Sequence, residues 1–196
     1  MNKILFILSF FVTGLWVSAQ AFTDKALQQS ATQLNSTNTE GDLDNLFMKF
    51  TRTKTSERWQ AGYYAAATMY LKAELLSKNP GDSFIETNAI AGKFALGTSL
   101  AEPDNQEINI LLGLITLQSL QSGKHRYPSK GEQDLSEYTL KAEKNDPNNP
   151  RLAILKAKLA ERTGNKSEAD AQYQKAAAGL GATVPGWGKQ LIPTNK

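Results

Sequence analysis

His125 is the only histidine of the chain and has the clearest capacity for proton transfer or metal binding near neutral pH. Glu132 and Asp134 follow it closely, so this stretch offers a possible general base or metal ligand. A zinc site, however, needs three or four ligands that converge on one ion, and the chain has no cysteine to supply them. We therefore interpret His125 as a surface histidine.

Other arrangements that carry chemistry are equally sparse. With one histidine, no Ser-His-Asp set stands out. The glycine-rich stretch 179–188 follows a helical segment, whereas a phosphate-binding loop precedes one. Acidic pairs such as Asp42/Asp44 and Glu168/Asp170 come near predicted helix starts, where carboxylates stabilise the helix dipole. We predict no catalytic, cofactor-binding or metal-binding residues, and a protein that is not an enzyme.

The N-terminal residues have the pattern of a secretory signal peptide. Lys3 is the only charged residue among the first 21, and the apolar run from Ile4 to Val17 is shorter than the ~20 residues of a membrane span. Val17-Ser18-Ala19 fits the small-x-small cleavage rule, so we predict a signal peptide over 1–19; an uncleaved anchor is the alternative. Because there is no cysteine, we do not expect a lipoprotein. We expect a periplasmic or secreted protein with no membrane span after cleavage.

The distribution of charge argues against a nucleic-acid partner. The formal net charge is +3, and basic residues alternate with acidic ones along the chain. A nucleic-acid binder concentrates its basic residues on one face. The densest basic stretch is Lys124-His125-Arg126 with Lys130, which is short and typical of a solvated loop.

Helical periodicity dominates the chain after residue 21. Apolar residues recur at i, i+3, i+4 and i+7 in nearly every segment, and no run alternates as a strand does. Ser56 is placed to cap a helix, and the stretch from Gln121 to Gly131, with Pro128 inside it, is interpreted as a loop. The predicted helices cover residues 22–35, 42–51, 56–78, 83–101, 108–120, 133–144, 152–163 and 167–178.

One pattern recurs after 44 residues. Pro103-Asp104-Asn105 is matched by Pro147-Asn148-Asn149, and the apolar positions from Ile108 onward are matched by those from Leu152 onward. A fixed break followed by a fixed apolar pattern is typical of stacked helix pairs, because one pair alone cannot bury its apolar face.

The last of these units resembles the tetratricopeptide repeat (TPR), a helix–turn–helix unit of about 34 residues. Ala157 falls on the small position of the first helix, and Gly164-Asn165 falls on the turn. Ala169, Tyr173 and Ala176 fall on the small, aromatic and small positions of the second helix.

Two earlier units share parts of the same pattern. Leu112-Gly113 corresponds to the Leu-Gly pair of the family, and Trp59 with Gly62 corresponds to its opening. The resemblance, which extends to small exported bacterial TPR-like proteins without an assigned activity, implies an all-α fold, a TPR-like α-solenoid of stacked antiparallel helix pairs. We expect one domain over 20–196, with units at 56–103, 104–147 and 148–181.

The resemblance also implies a concave groove lined by the first helix of each pair. The residues carried over to this groove, as candidates for partner binding, are Trp59, Tyr63, Gln118, Arg151, Lys158 and Arg162. Three are basic, which suits an extended peptide or an acidic tail. The competing interpretation of the aromatic stripe from Trp59 to Tyr70 is a buried core. We expect Trp187 to fold back over the open end of the last helix pair.

Three functions remain open at this point. The favoured one is an exported, non-enzymatic scaffold that binds a protein or peptide of unknown identity. The alternative is a structural accessory subunit of a cell-envelope complex, which would use the convex surface. The least favoured is a hydrolase that uses the loop around His125.

Overall fold

Eight α-helices make up most of the part of the chain that the structure describes. A computed structural model describes residues 22–180 and 187–193, so the predicted signal peptide, 1–19, lies outside the described residues. A short 3₁₀ turn, Lys189–Leu191, follows the last helix. The helices are α1 (Lys25–Leu34), α2 (Glu40–Arg52), α3 (Arg58–Leu76), α4 (Asp82–Ser99), α5 (Gln106–Gln121), α6 (Pro128–Asn145), α7 (Pro150–Arg162) and α8 (Lys166–Leu180).

Neighbouring helices pack as antiparallel pairs in a row. The closest packing joins α3 to α4, α5 to α6 and α7 to α8, while the first helices α3, α5 and α7 contact one another in that order. Helix α2 packs on the other side of α3, and α1 contacts both. The predicted all-α, solenoid-like stack of helix pairs is confirmed, with no strand in the ranges that the structure describes.

The two proline breaks lie between helices, as the repeat predicts. In each, an asparagine caps the next helix: Asn105 Oδ1 accepts from the amides of Glu107 and Ile108. Asn149 Oδ1 accepts from the amides of Arg151 and Leu152. Such a cap satisfies backbone donors that the first helical turn leaves without partners. The 44-residue recurrence therefore marks equivalent helix starts.

The boundaries of two predicted elements are wrong. Helix α6 begins at Pro128, inside the predicted loop 121–131, because proline at the first helical position needs no backbone donor and already has helical φ. Ser56 is not the cap of α3. Glu57 occupies that position and makes no side-chain cap bond.

Helices α3 and α5 are enclosed by their neighbours. Tyr63 and Tyr70 are no more than 1% exposed, and Ala65, Ala66 and Ala67 are fully buried. The core interpretation of the aromatic stripe is thus confirmed for Tyr63 and Tyr70. Small side chains on α3 allow close approach by α2 and α4. Among the described residues, no helix is long and apolar enough to cross a bilayer.

Gly62 sets the distance between α3 and α4. A Cβ atom at this position would lie 2.4 Å from Thr98 Cγ2. We expect Gly62→Ala to lower the free energy of unfolding by about 1–3 kcal/mol, measured by urea denaturation, because the helices must separate. Thr98→Ser, which removes the clashing methyl group, should restore most of the loss.

Gly97→Ala is the matched control for this substitution. Gly97 is also in α4, but a Cβ there has nothing within 4 Å. It should raise stability by roughly 0.8–1 kcal/mol through helix propensity alone. A Gly62→Ala protein as stable as the wild type would contradict the proposed close approach.

Candidate binding groove

The groove lies where α3, α5 and α7 face one another, and a partly buried carboxylate lies at its centre. Glu107, near the start of α5, accepts a hydrogen bond from the Tyr63 hydroxyl (2.7 Å) and another from Asn149 Nδ2 (2.7 Å). Arg151 Nη1 donates to both Glu107 oxygens, at 3.2 and 3.1 Å. The carboxylate thus joins all three first helices.

The three main members of this network occupy equivalent positions in successive repeats. Tyr63 and Glu107 are 44 residues apart, and so are Glu107 and Arg151. Arg151 is 3% exposed, so its charge needs the Glu107 partner. Burial opposes its ionisation, yet the Glu107 charge holds the pKa of Arg151 above its ordinary value. We call this set the Tyr63–Glu107–Arg151 ladder.

Trp187, from the C-terminal segment of the chain, fills the groove next to the ladder. Its side chain is completely buried, and its indole N–H donates to the Tyr63 hydroxyl at 3.0 Å. Arg151 Nε donates to the Trp187 carbonyl at 2.9 Å, and the guanidinium lies 5.2 Å from the ring centre. The Tyr70 ring packs edge to face with the Trp187 indole, with 5.9 Å between the two ring centres. Trp187 therefore folds back onto the helices as predicted, but it enters the groove instead of covering the open end of the last helix pair.

The residues after Trp187 hold the segment across the helices. Gly188 has φ +124°, a conformation that side chains disfavour, and a Cβ atom there would lie 3.1 Å from Leu180 Cδ1 and 3.2 Å from Ile154 Cδ1. Gln190 Nε2 donates to the Leu34 carbonyl at the end of α1, at 3.2 Å. The C-terminal segment, defined here as residues 187–192, therefore ties the first helix of the stack to the last.

A second polar cluster lies further along the same helices. Glu74 of α3 accepts from Gln118 Nε2 at 2.8 Å and pairs with Lys158 Nζ at 3.0 Å. Gln118 Oε1 accepts in turn from Asn88 Nδ2 at 2.7 Å. Gln118 is also 44 residues from Glu74, so this contact again joins equivalent repeat positions.

The six sequence-predicted groove residues thus fall into four places. Tyr63 and Arg151 meet in the ladder, and Gln118 and Lys158 meet at Glu74. Arg162 pairs with Glu132 of α6. Trp59 is half-buried and lines a cleft between α3 and α4, apart from the other five. All three basic candidates already have a carboxylate partner.

His125 does not join acidic residues in a site. Its Nδ1 accepts from the Tyr127 amide at 3.2 Å, and its ring packs on Gly131. Glu132 pairs with Arg162, and Asp134 pairs with Lys130. Within the described ranges, no group of three potential ligands could hold a metal ion.

Glu107 and Glu74 were not among the predicted site residues, although the chain carries a signal for both. Each lies one repeat period from a candidate residue, Glu107 from Tyr63 and Arg151, and Glu74 from Gln118. The chain matches no model of a known protein family, no curated protein and no solved structure.

We expect Trp187→Ala to lower the free energy of unfolding by about 3–5 kcal/mol, because it empties a fully enclosed site and removes a buried hydrogen bond. Urea denaturation measures the change, and Trp187→Phe should lose less. A loss below about 1 kcal/mol, far under the usual cost of emptying a core site, would show that the C-terminal segment is not docked in solution.

The buried tyrosines predict a loss of stability at alkaline pH. Burial and the Glu74 charge raise the pKa of Tyr70 well above its ordinary value, whereas an unfolded tyrosine titrates near pH ~10. The unfolded chain therefore releases a proton first. The contribution of Tyr70 to the free energy of unfolding is therefore complete below pH ~10 and falls as the pH rises above that value.

Tyr70→Phe isolates this effect, because the Tyr70 hydroxyl has no hydrogen-bond partner among the described residues. The variant should be at least as stable as the wild type at pH ~7 and lose less stability between pH ~9 and ~11. Urea denaturation at each pH gives the comparison, with exposed Tyr127→Phe as the control. Identical pH profiles for the wild type and Tyr70→Phe would refute the assignment.

Proposed function

We propose that the protein is an exported, non-enzymatic scaffold that binds a protein or peptide segment in the groove of α3, α5 and α7. One observation carries this proposal: the groove already holds the C-terminal segment, through an indole in an aromatic pocket and a backbone carbonyl on Arg151. Aromatic anchoring and capture of main-chain groups are common ways of recognising extended peptides. The TPR resemblance adds support, because it implies a binding groove in the same place.

The C-terminal segment competes with any such partner. A tethered competitor acts at an effective concentration near the millimolar range. The apparent association constant for a partner is then the intrinsic constant multiplied by the fraction of molecules whose groove is open. A partner segment with its own aromatic anchor would replace Trp187 between Tyr63, Tyr70 and Arg151.

The charges in the groove do not favour an acidic partner. Arg151 pairs with Glu107, and Lys158 pairs with Glu74, so neither cation is left for a ligand carboxylate. Of the two partners that the sequence suggested, an extended peptide or an acidic tail, these contacts support an extended segment with an apolar, aromatic anchor.

The complete burial of Trp187 also fits the alternative function, a structural accessory subunit. If the C-terminal segment never leaves the groove, partner contacts must use the outer surface. Tyr127 and Leu140 are each more than 60% exposed there. The two functions predict opposite results when the segment is weakened.

The test starts with crosslinking in intact cells to identify the partner, followed by affinity measurements with Gln190→Ala. Gln190 lies outside the ladder, and the substitution removes its hydrogen bond to the Leu34 carbonyl of α1 together with a local bond from the Gly188 amide within the segment. We expect partner affinity to rise about threefold to tenfold, which corresponds to about 0.7–1.4 kcal/mol.

The exposed Gln121→Ala serves as the control and should leave partner affinity unchanged. Unchanged or weaker binding by Gln190→Ala would reject groove binding and favour the structural role. Mass spectrometry of the exported protein tests the signal peptide separately, since cleavage predicts Gln20 as the first residue.

A further inference from the structure

A cleft outside the groove lies between the start of α3 and the end of α4. Its volume is about 370 Å³, within the range of about 300–1,000 Å³ that small-molecule sites show. Trp59 and Phe94 form its apolar walls, and Phe94 is held by an edge contact with Phe47 at 5.2 Å. Gly97 also lines the cleft, and a Cβ atom there would have nothing within 4 Å. A larger side chain at this position would therefore occupy the space of the cleft.

The cations of this cleft differ from those of the groove. Arg58 and Lys93 line it, and neither forms an ion pair with any residue in the described ranges. No acidic residue lines the cleft. The N-cap residue of α3, Glu57, does not line the cleft; its carboxylate accepts hydrogen bonds from Thr23 and Asp24.

The apolar part of the cleft offers little to a peptide backbone. The Thr98 hydroxyl already donates to the Ala95 carbonyl at 2.7 Å, and the backbone here is helical. An extended peptide needs partners for its own amides and carbonyls, whereas a hydrocarbon chain needs none. Apolar walls beside two unpaired cations therefore complement a molecule with one anionic end and one apolar chain.

We propose that this cleft binds a single-chain amphiphile with a carboxylate headgroup, of the fatty-acid type. Arg58 and Lys93 bind the carboxylate, and the chain lies against Trp59 and Phe94. This site does not use the groove, and its existence does not depend on the scaffold function.

Tryptophan fluorescence provides a direct test. The chain has three tryptophans, and Trp16→Phe leaves Trp59 in the cleft and Trp187 in the core whether or not the signal peptide is removed. The probe is dodecanoate brominated at its terminal carbon, because bromine quenches only a nearby indole. We expect saturable quenching of Trp59 that unlabelled dodecanoate reverses. Dodecyltrimethylammonium, with the same chain and the opposite charge, should compete at least about tenfold less well.

Two sets of variants locate the site. Gly97→Phe should fill the cleft and abolish quenching, while Gly41→Phe, at another glycine with open space, should not. Arg58→Glu with Lys93→Glu should weaken binding about tenfold or more. Lys144→Glu with Lys166→Glu makes the same change in net charge elsewhere and should leave binding within about twofold, since exposed distant charges are screened.

Circular dichroism and urea denaturation first establish that each variant is folded. No saturable quenching, quenching that survives Gly97→Phe, or equal competition by the cationic amphiphile would each overturn the proposal. Partner binding in the groove is a separate measurement, so failure of the amphiphile site leaves that function untouched.

Discussion

The Tyr63–Glu107–Arg151 ladder is the interaction on which the inner surface of the stack depends. A charge as deeply buried as Arg151 is costly unless it is paired and hydrogen-bonded. Glu107 meets that requirement because the Asn105 and Asn149 caps start α5 and α7 at equivalent positions, two residues before Glu107 and Arg151. The repeat period thus has an energetic consequence, because slipping one helix would leave a buried ion without its partner.

Trp187 converts this inner surface from an open groove into an enclosed one. Its indole N–H donates to the Tyr63 oxygen that the ladder positions, and its carbonyl accepts from Arg151 Nε. In the groove Arg151 and Lys158 each have a carboxylate partner, whereas Arg58 and Lys93 at the cleft have no ion-pair partner in the described ranges. The two proposals consequently differ in their ligands: an aromatic segment that replaces Trp187 in the groove, and an anionic amphiphile in the cleft.

The accuracy of the sequence predictions followed the type of signal behind them. Helical period and proline breaks are local, so seven of the eight helices match within about three residues at each end, a normal uncertainty for helix ends. Helix α6 was predicted five residues short at its start, because Pro128 was interpreted as a breaker when it initiates the helix. The six groove residues were chosen by period alone, and that period could not say which side chains were already paired.

The sequence by itself determined the all-α stack, its order and the equivalence of positions 44 residues apart, since these depend on short-range periodicity and helix breaks. Only the tertiary structure decided that Trp187 would enter the groove beside Tyr63, 124 residues away. The physical reason is that hydrogen bonds and burial depend on distances in space. A pattern within one helix defines a face, but the residue that covers that face is chosen by the packing of all the others.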